Sequence, residues 1–236
     1  MGELRAVVFD FDGLIIDSEM PIFEMSRAAL AELGHTITVE AWSSVVGLGD
    51  ADSHAALCAA VGADVDPETF DAAYQRQDRS WRETIGPLPG VVDLLLALRD
   101  ADVACGVASS SSAGWVVGHL ERLGLAHHFG SFATSDRVGG RTKPAPDAYL
   151  LACRDLGADP ASAVALEDSA HGLAAALAAG LTAVAVPSAI TVHTDLSAAH
   201  HRAVAHRPHR RPPAEPGGRL TGSAIRHHGT RAGRAL

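Results

Sequence analysis

Four short apolar runs, AVVF (6–9), VACGVAS (103–109), AVALE (163–167) and TAVAVP (182–187), each stop at a polar turn. Runs of this length, apolar nearly throughout and rich in β-branched residues, suit strands buried on both faces. Helical periods stand beside them. GVVDLLLALRDA (90–101) puts Val91, Leu94, Leu95 and Leu98 on one face. GWVVGHLERLGL (114–125), PDAYLLACRDLG (146–157) and HGLAAALAAG (171–180) repeat the pattern, with Pro146 in a first turn and Gly157 and Gly180 as stops. Strand and helix in alternation predict an α/β fold: a Rossmann-like three-layer sandwich whose parallel sheet carries helices on both faces.

One segment departs from the alternation. From residue 17 to residue 86 there are helical periods (MPIFEMSRAALAELG, VEAWSSVVG, DSHAALCAAVG, PETFDAAYQRQDRSWRETI) and no strand. Asp66 before Pro67 and Glu68 reads as a helix start. The expected organisation is a catalytic core of residues 1–16 and 87–198, with an all-helical cap domain, 17–86, inserted into it and GPLPG (86–90) as the return hinge. The insertion would cover the carboxyl ends of the strands, where open α/β sheets bind ligands. Residues 199–236 lack an apolar period and carry eight arginines and six histidines against one acid, Glu215, so a disordered basic tail is expected there.

Charge narrows the partners. The chain before that tail is strongly acidic, which disfavours nucleic acid or an anionic membrane as a partner. No run of eighteen uncharged apolar residues is present, and the N-terminal stretch MGELRAVVFDFDG is acidic rather than signal-like. Cys58, Cys105 and Cys153, odd in number and far apart, suit buried thiols in a reducing cytoplasm. The chain has a single lysine, Lys143, among eighteen arginines. A lysine kept where arginine is otherwise used points to a position that a planar guanidinium cannot fill.

Four motifs fall at the carboxyl ends of predicted strands: DFDG (10–13), ASSSS (108–112), TKPAPD (142–147) and LEDS (166–169). Each alone is weak, since a strand ending in acid, a serine cap and a proline turn all occur by chance. All four in this order, with Lys143 inside one of them, are a constellation. FDFDGLIIDSE, TKPAPDAYLLA and LEDSAHGLAAALAAG together resemble the haloacid dehalogenase superfamily, in its helical-cap, β-phosphoglucomutase-like phosphatase and phosphomutase branch. The likeness spans roughly residues 5–195.

The resemblance implies a Mg2+-dependent phosphatase acting on a small phosphorylated metabolite through an aspartyl-phosphate. Asp10 would be the nucleophile and Asp12 the acid and base. Gly13, Ser109, Ser110 and Lys143 would bind phosphate, and Asp10, Asp12, Glu167 and Asp168 would hold the metal, Asp12 through its backbone carbonyl. Glu19, Asp50 and Arg82 are candidates for contacting substrate from the insertion, Ser169 for capping a helix, and the three tryptophans for packing. A phosphomutase of the same branch would place a histidine where this chain has Ile22 and a phosphate-binding arginine where it has Asp50, so hydrolysis is favoured. Asp12 argues against carbon–halogen cleavage. A binding module on a catalytically inactive scaffold is the alternative of another class. The branch leans to monomers.

Overall fold

The computed structural model describes residues 3–203, with the backbone alone at positions 50 and 51. Six strands form one sheet: β1 (Ala6–Phe9), β2 (Ala104–Ala108), β3 (Ser131–Ala133), β4 (Ala163–Glu167), β5 (Thr182–Ala185) and β6 (His201–Arg202). Their order is β3-β2-β1-β4-β5-β6, and every neighbouring pair is parallel. The order runs outward from β1 in both directions, so the loops after β1, β2 and β4 open onto one crevice at the strands' carboxyl ends.

Alternation along the strands builds the layers. Ala6 and Val8 of β1 face α8 (Asp147–Asp155) and α9 (Ala170–Ala178). Val7 and Phe9 face α6 (Val91–Asp100) and α7 (Ala113–Arg122). This is the expected three-layer sandwich. One packing expectation fails: Leu94 is 38% exposed, because α6 buries the narrower stripe of Val91, Leu95 and Leu98.

Between β1 and α6 the chain is helical: α1 (Glu19–Glu32), α2 (Val39–Trp42), α3 (Asp50–Val61), α4 (Pro67–Gln75) and α5 (Trp81–Thr84). The Asp66 carboxylate accepts from the Thr69 N–H at 2.9 Å and starts α4 as expected. These helices have a core of their own around Phe23, Leu30, Trp42, Val46 and Leu57, which also takes in Ile190. The chain leaves the sheet and returns to it side by side, since Ile16 bridges to Pro87 and the Leu88 N–H donates to the Ile15 carbonyl at 2.8 Å.

Two strands were not foreseen. β3 has three residues, and β6 has two exposed ones inside the segment expected to be disordered from Ala199. Hydrogen bonds place β6 on β5: the His200 N–H donates to the Ala183 carbonyl at 2.9 Å, the Ala203 N–H donates to the Ala185 carbonyl at 2.7 Å, and His200 Nδ1 accepts from the Ala183 N–H at 3.0 Å. The remainder of the expected basic tail, 204–236, lies outside the described residues. Cys105 and Cys153 are buried and Cys58 partly so, all as free thiols. Among the described residues no helix is long and apolar enough to cross a membrane.

Candidate active site

Strand register assembles the site. Phe9 pairs with Leu166 on β4 and with Val107 on β2, so Asp10 emerges level with Glu167. The Asp10 N–H donates to the Leu166 carbonyl at 3.0 Å, which holds that level one residue beyond the strand. Asp10, Glu167 and Asp168 are all buried and bring one carboxylate oxygen each within 4.8 Å of the others.

Lys143 enters this cluster from the loop before α8. It is 1% exposed and donates to Asp10 Oδ1 and, at 2.5 Å, to Glu167 Oε1. Its Nζ also lies 5.3 Å from the Tyr149 ring, and the Tyr149 hydroxyl donates to the same Glu167 oxygen at 2.6 Å. Glu167 Oε2 accepts from Ser169 Oγ at 3.2 Å. Both Glu167 oxygens are thus already bonded to the protein, whereas buried Asp168 Oδ2 has no partner.

The charges do not balance. Fully ionised, three buried carboxylates would face one ammonium, with two negative charges uncompensated. Burial pushes the Asp10 carboxyl up to about 7, with Lys143 opposing and Glu167 adding to the rise. Asp168 is raised well above the usual carboxylate range by burial, then by Asp10, Glu19 and Glu167. Burial works against the Lys143 charge, but Asp10 and Glu167 outweigh it and hold the ammonium above its ordinary value. An orphaned buried oxygen in an all-oxygen cluster with two charges to spare suits a hard divalent cation.

Two glycines make the close approaches feasible. Gly13 has φ +77°, and a Cβ there would overlap Asp168 Oδ2. A Cβ on Gly172, in the first turn of α9, would overlap the Glu167 carboxylate. Alanine for glycine inside a helix ordinarily gains up to ~1 kcal/mol. Here it displaces a buried carboxylate from its lysine, and breaking such a pair costs about 3–5 kcal/mol. Gly172→Ala is therefore expected to lower the urea-unfolding free energy by about 2 kcal/mol or more; unchanged stability would mean that Glu167 does not lie against α9.

Asp12 is turned away from the cluster. Its carboxylate accepts from Ser18 Oγ at 2.6 Å, Ser111 Oγ at 2.7 Å and Trp115 Nε1 at 2.9 Å. Ser109 is buried, and its Oγ accepts from the Ser111 N–H at 3.0 Å. The Ser110 hydroxyl donates to the Gly47 carbonyl at 3.0 Å, tying this loop to the helical insertion. Ser169 caps α9 as expected, accepting from the Gly172 N–H at 3.0 Å. His171 Nε2 lies 3.2 Å from the Ser44 carbonyl, a second tie to the insertion.

The insertion residues divide. Glu19 opens α1 and is buried against Gly13. Burial pushes its carboxyl up to about 8, with Asp12, Asp10 and Asp17 adding to the rise, so it joins the acids instead of a solvated helix face. Arg82 on α5 has its guanidinium carbon 5.1 Å from the Trp115 ring and 5.6 Å from the Trp81 ring. Asp50 starts α3, and its side chain lies outside what the structure describes.

Comparison with known proteins agrees with this geometry. Residues 7–186 match the family model described as haloacid dehalogenase-like hydrolase. The chain belongs to the haloacid dehalogenase superfamily. Fructose-1-phosphate phosphatase YqaB of Escherichia coli (strain K12) is 31% identical over 182 residues, covering 76% of this chain and 95% of that protein. YhcW of Bacillus subtilis (strain 168), named as a candidate phosphatase, is 35% identical over 189 residues, 80% of this chain and 86% of its own. The structure of CbbY from Rhodobacter sphaeroides in complex with xylulose-(1,5)bisphosphate superposes with a TM-score of 0.69 at 28% identity, covering 85% of this chain and 93% of that one. The chain is a phosphoric monoester hydrolase of the haloacid dehalogenase superfamily, and its helical insertion is the kind of cap that family carries.

Tyr149, Ser18, Ser111 and Gly172 of this haloacid dehalogenase site had no role of their own in the sequence expectations, and Trp115 was expected only to pack. Trp115 carried one local signal, its place in the first turn of a helix that follows the serine loop.

Proposed function

We propose that this chain hydrolyses a small phosphorylated metabolite, of the sugar phosphate kind, with Mg2+ bound and through an aspartyl-phosphate on Asp10. The observation that carries the reading is Asp10 held between Lys143 and the Asp168 carboxylate, whose buried Oδ2 has no partner, beside the uncompensated charge. Asp10, Asp168 and the Asp12 backbone carbonyl would hold the ion, while Glu167 anchors Lys143. When bound, the ion would neutralise the cluster and act as a Lewis acid toward phosphoryl oxygen.

The chain's own groups supply the remaining chemistry. An Asp10 carboxylate oxygen attacks phosphorus as the bond to the leaving alcohol breaks. Asp12 gives that alcohol its proton, then takes one from the water that releases phosphate from Asp10. Ser18, Ser111 and Trp115 fix the bearing of Asp12 for both transfers. Lys143 and the 109–110 loop gather the equatorial phosphoryl oxygens, where charge develops. In domain terms, residues 1–16 and 87–198 carry this chemistry and the 17–86 cap encloses it. Ile22 and position 50 support hydrolysis over a mutase.

The test is phosphate release from p-nitrophenyl phosphate and a panel of phosphorylated metabolites. Turnover is expected with magnesium and is expected to vanish with EDTA. Full turnover in EDTA would contradict the metal assignment, and no turnover of any ester would favour an inactive binding module.

A further inference from the structure

The Lys143 ammonium has three N–H donors, and two of them are committed within the protein. One goes to Asp10 Oδ1 and one to Glu167 Oε1. Among the described residues Nζ bonds to no third oxygen, so one donor is left for an oxygen arriving at Asp10. A lysine carries a compact charge on a flexible four-carbon stem, and the stem alone does not decide how that charge divides between two carboxylates. Glu167 Oε1 is shared, since it also accepts from the Tyr149 hydroxyl at 2.6 Å.

Tyr149 is firmly placed to act on that oxygen. It lies in the first turn of α8 and is wholly buried, packed in the layer that holds Val8, Ala165 and Leu173. Its ring stands 5.3 Å from Lys143 Nζ, beside the ammonium. With Ser169 Oγ on Oε2 and the phenol on Oε1, the Glu167 carboxylate is fixed about its last torsion. A neutral donor on Oε1 also draws off part of the charge that would otherwise hold Lys143. More of the ammonium's charge is then available to Asp10. Without the hydroxyl, Lys143 is drawn toward Glu167 and away from Asp10.

We propose that Tyr149 is a positioning residue for phosphoryl transfer: its hydroxyl fixes Glu167 and loosens the hold of Glu167 on Lys143, which keeps the ammonium aimed at Asp10 and the phosphoryl oxygens. This rests on the hydrolase reading for where the phosphoryl group lies. Among the described residues the Tyr149 hydroxyl bonds to Glu167 alone, so its effect reaches the reaction through Lys143.

Two variants of the full chain separate the hydroxyl from the ring. Tyr149→Phe removes the hydroxyl and keeps the ring, and Glu167 Oε1 still has Lys143. Tyr149→Leu removes both. Turnover of p-nitrophenyl phosphate with magnesium is measured well below every melting temperature. Tyr149→Leu is expected to lower the melting temperature and Tyr149→Phe to restore most of it. Both are expected to lower kcat about tenfold or more with KM within about twofold, because Lys143 bears on charge that develops in the transition state. A packing role alone would have Tyr149→Phe restore kcat together with stability. A parent that turns over, with kcat unchanged in Tyr149→Phe or with KM alone raised, overturns the role and leaves the hydrolase reading standing.

Should the parent not turn over, orthovanadate binding followed by tryptophan fluorescence decides. Its trigonal-bipyramidal adduct carries charge on equatorial oxygens as a transferring phosphoryl group does, so Tyr149→Phe is expected to weaken it about tenfold and inorganic phosphate about threefold or less. That result without turnover sinks the hydrolase reading and keeps the role of Tyr149. Vanadate left unbound, or bound equally by parent and variant, sinks both.

Discussion

Lys143→Met is expected to lose about 3–5 kcal/mol of stability at pH 8 without magnesium and to release no measurable phosphate from any ester. Methionine matches much of the lysine stem's volume, so the cost is electrostatic. Lys143 is the cation of the cluster, bonded to both Asp10 and Glu167 in a setting with almost no water. Without it, Asp10, Glu167 and Asp168 face one another unneutralised, and Tyr149 keeps only its bond to Glu167. The penalty depends on pH in a defined direction. Burial, against the pull of Lys143, holds the folded Asp10 carboxyl up at about 7 instead of the ordinary 3.8. The folded chain therefore keeps a proton that the unfolded chain has released, and stability falls as pH rises from about 4 through 7. The variant's deficit in urea unfolding should accordingly be smaller at pH 5 than at pH 8. A variant as stable as the parent at pH 8 would show that Lys143 does not neutralise the cluster.

Asp10→Asn is expected to keep the fold and lose activity by about 10⁴-fold or more, the scale seen when a nucleophile is removed. The two outcomes have one origin. The amide is isosteric, so the β1 backbone bond to Leu166 is untouched and Lys143 retains Glu167. One fewer buried carboxylate eases the repulsion on Asp168, and at pH 8 without metal the melting temperature should not fall below that of the parent. Phosphate release, by contrast, loses the oxygen that attacks phosphorus. Activity within tenfold of the parent would place the nucleophile elsewhere.

Much of this was legible in the sequence for physical reasons that differ by residue. The AVVF, AVALE and TAVAVP runs are apolar nearly throughout, and strands β1, β4 and β5 lie there, β1 buried on both faces and β4 and β5 buried on one face and half-buried on the other. β3 and β6 could not be read, because three or two residues carry no period and backbone bonds to a neighbour place them. Asp10, Glu167 and Asp168 stood out because they end or follow a strand, and Lys143 because it is the single lysine of the chain, in a motif that leads into a helix. Their partners did not. Tyr149 and Trp115 sit inside amphipathic helices, where an aromatic reads as packing until the register of the sheet shows what it faces. Gly172 looked like an ordinary helix residue in HGLAAALAAG, since the carboxylate occupying its missing Cβ comes from the preceding strand. Glu19 was expected to contact substrate from the insertion, and its burial among the acids was not legible for a similar reason: the loop that buries it, around Gly13, is brought over α1 by the fold.

The placement of the divalent ion is tested most directly by diffraction from crystals grown with manganese, using its anomalous scattering to find the ion. One peak is predicted, within bonding distance of carboxylate oxygens of both Asp10 and Asp168, and absent from crystals of Asp168→Asn. An ion bound elsewhere, or Asp10 and Asp168 found too far apart to share one, would contradict the account.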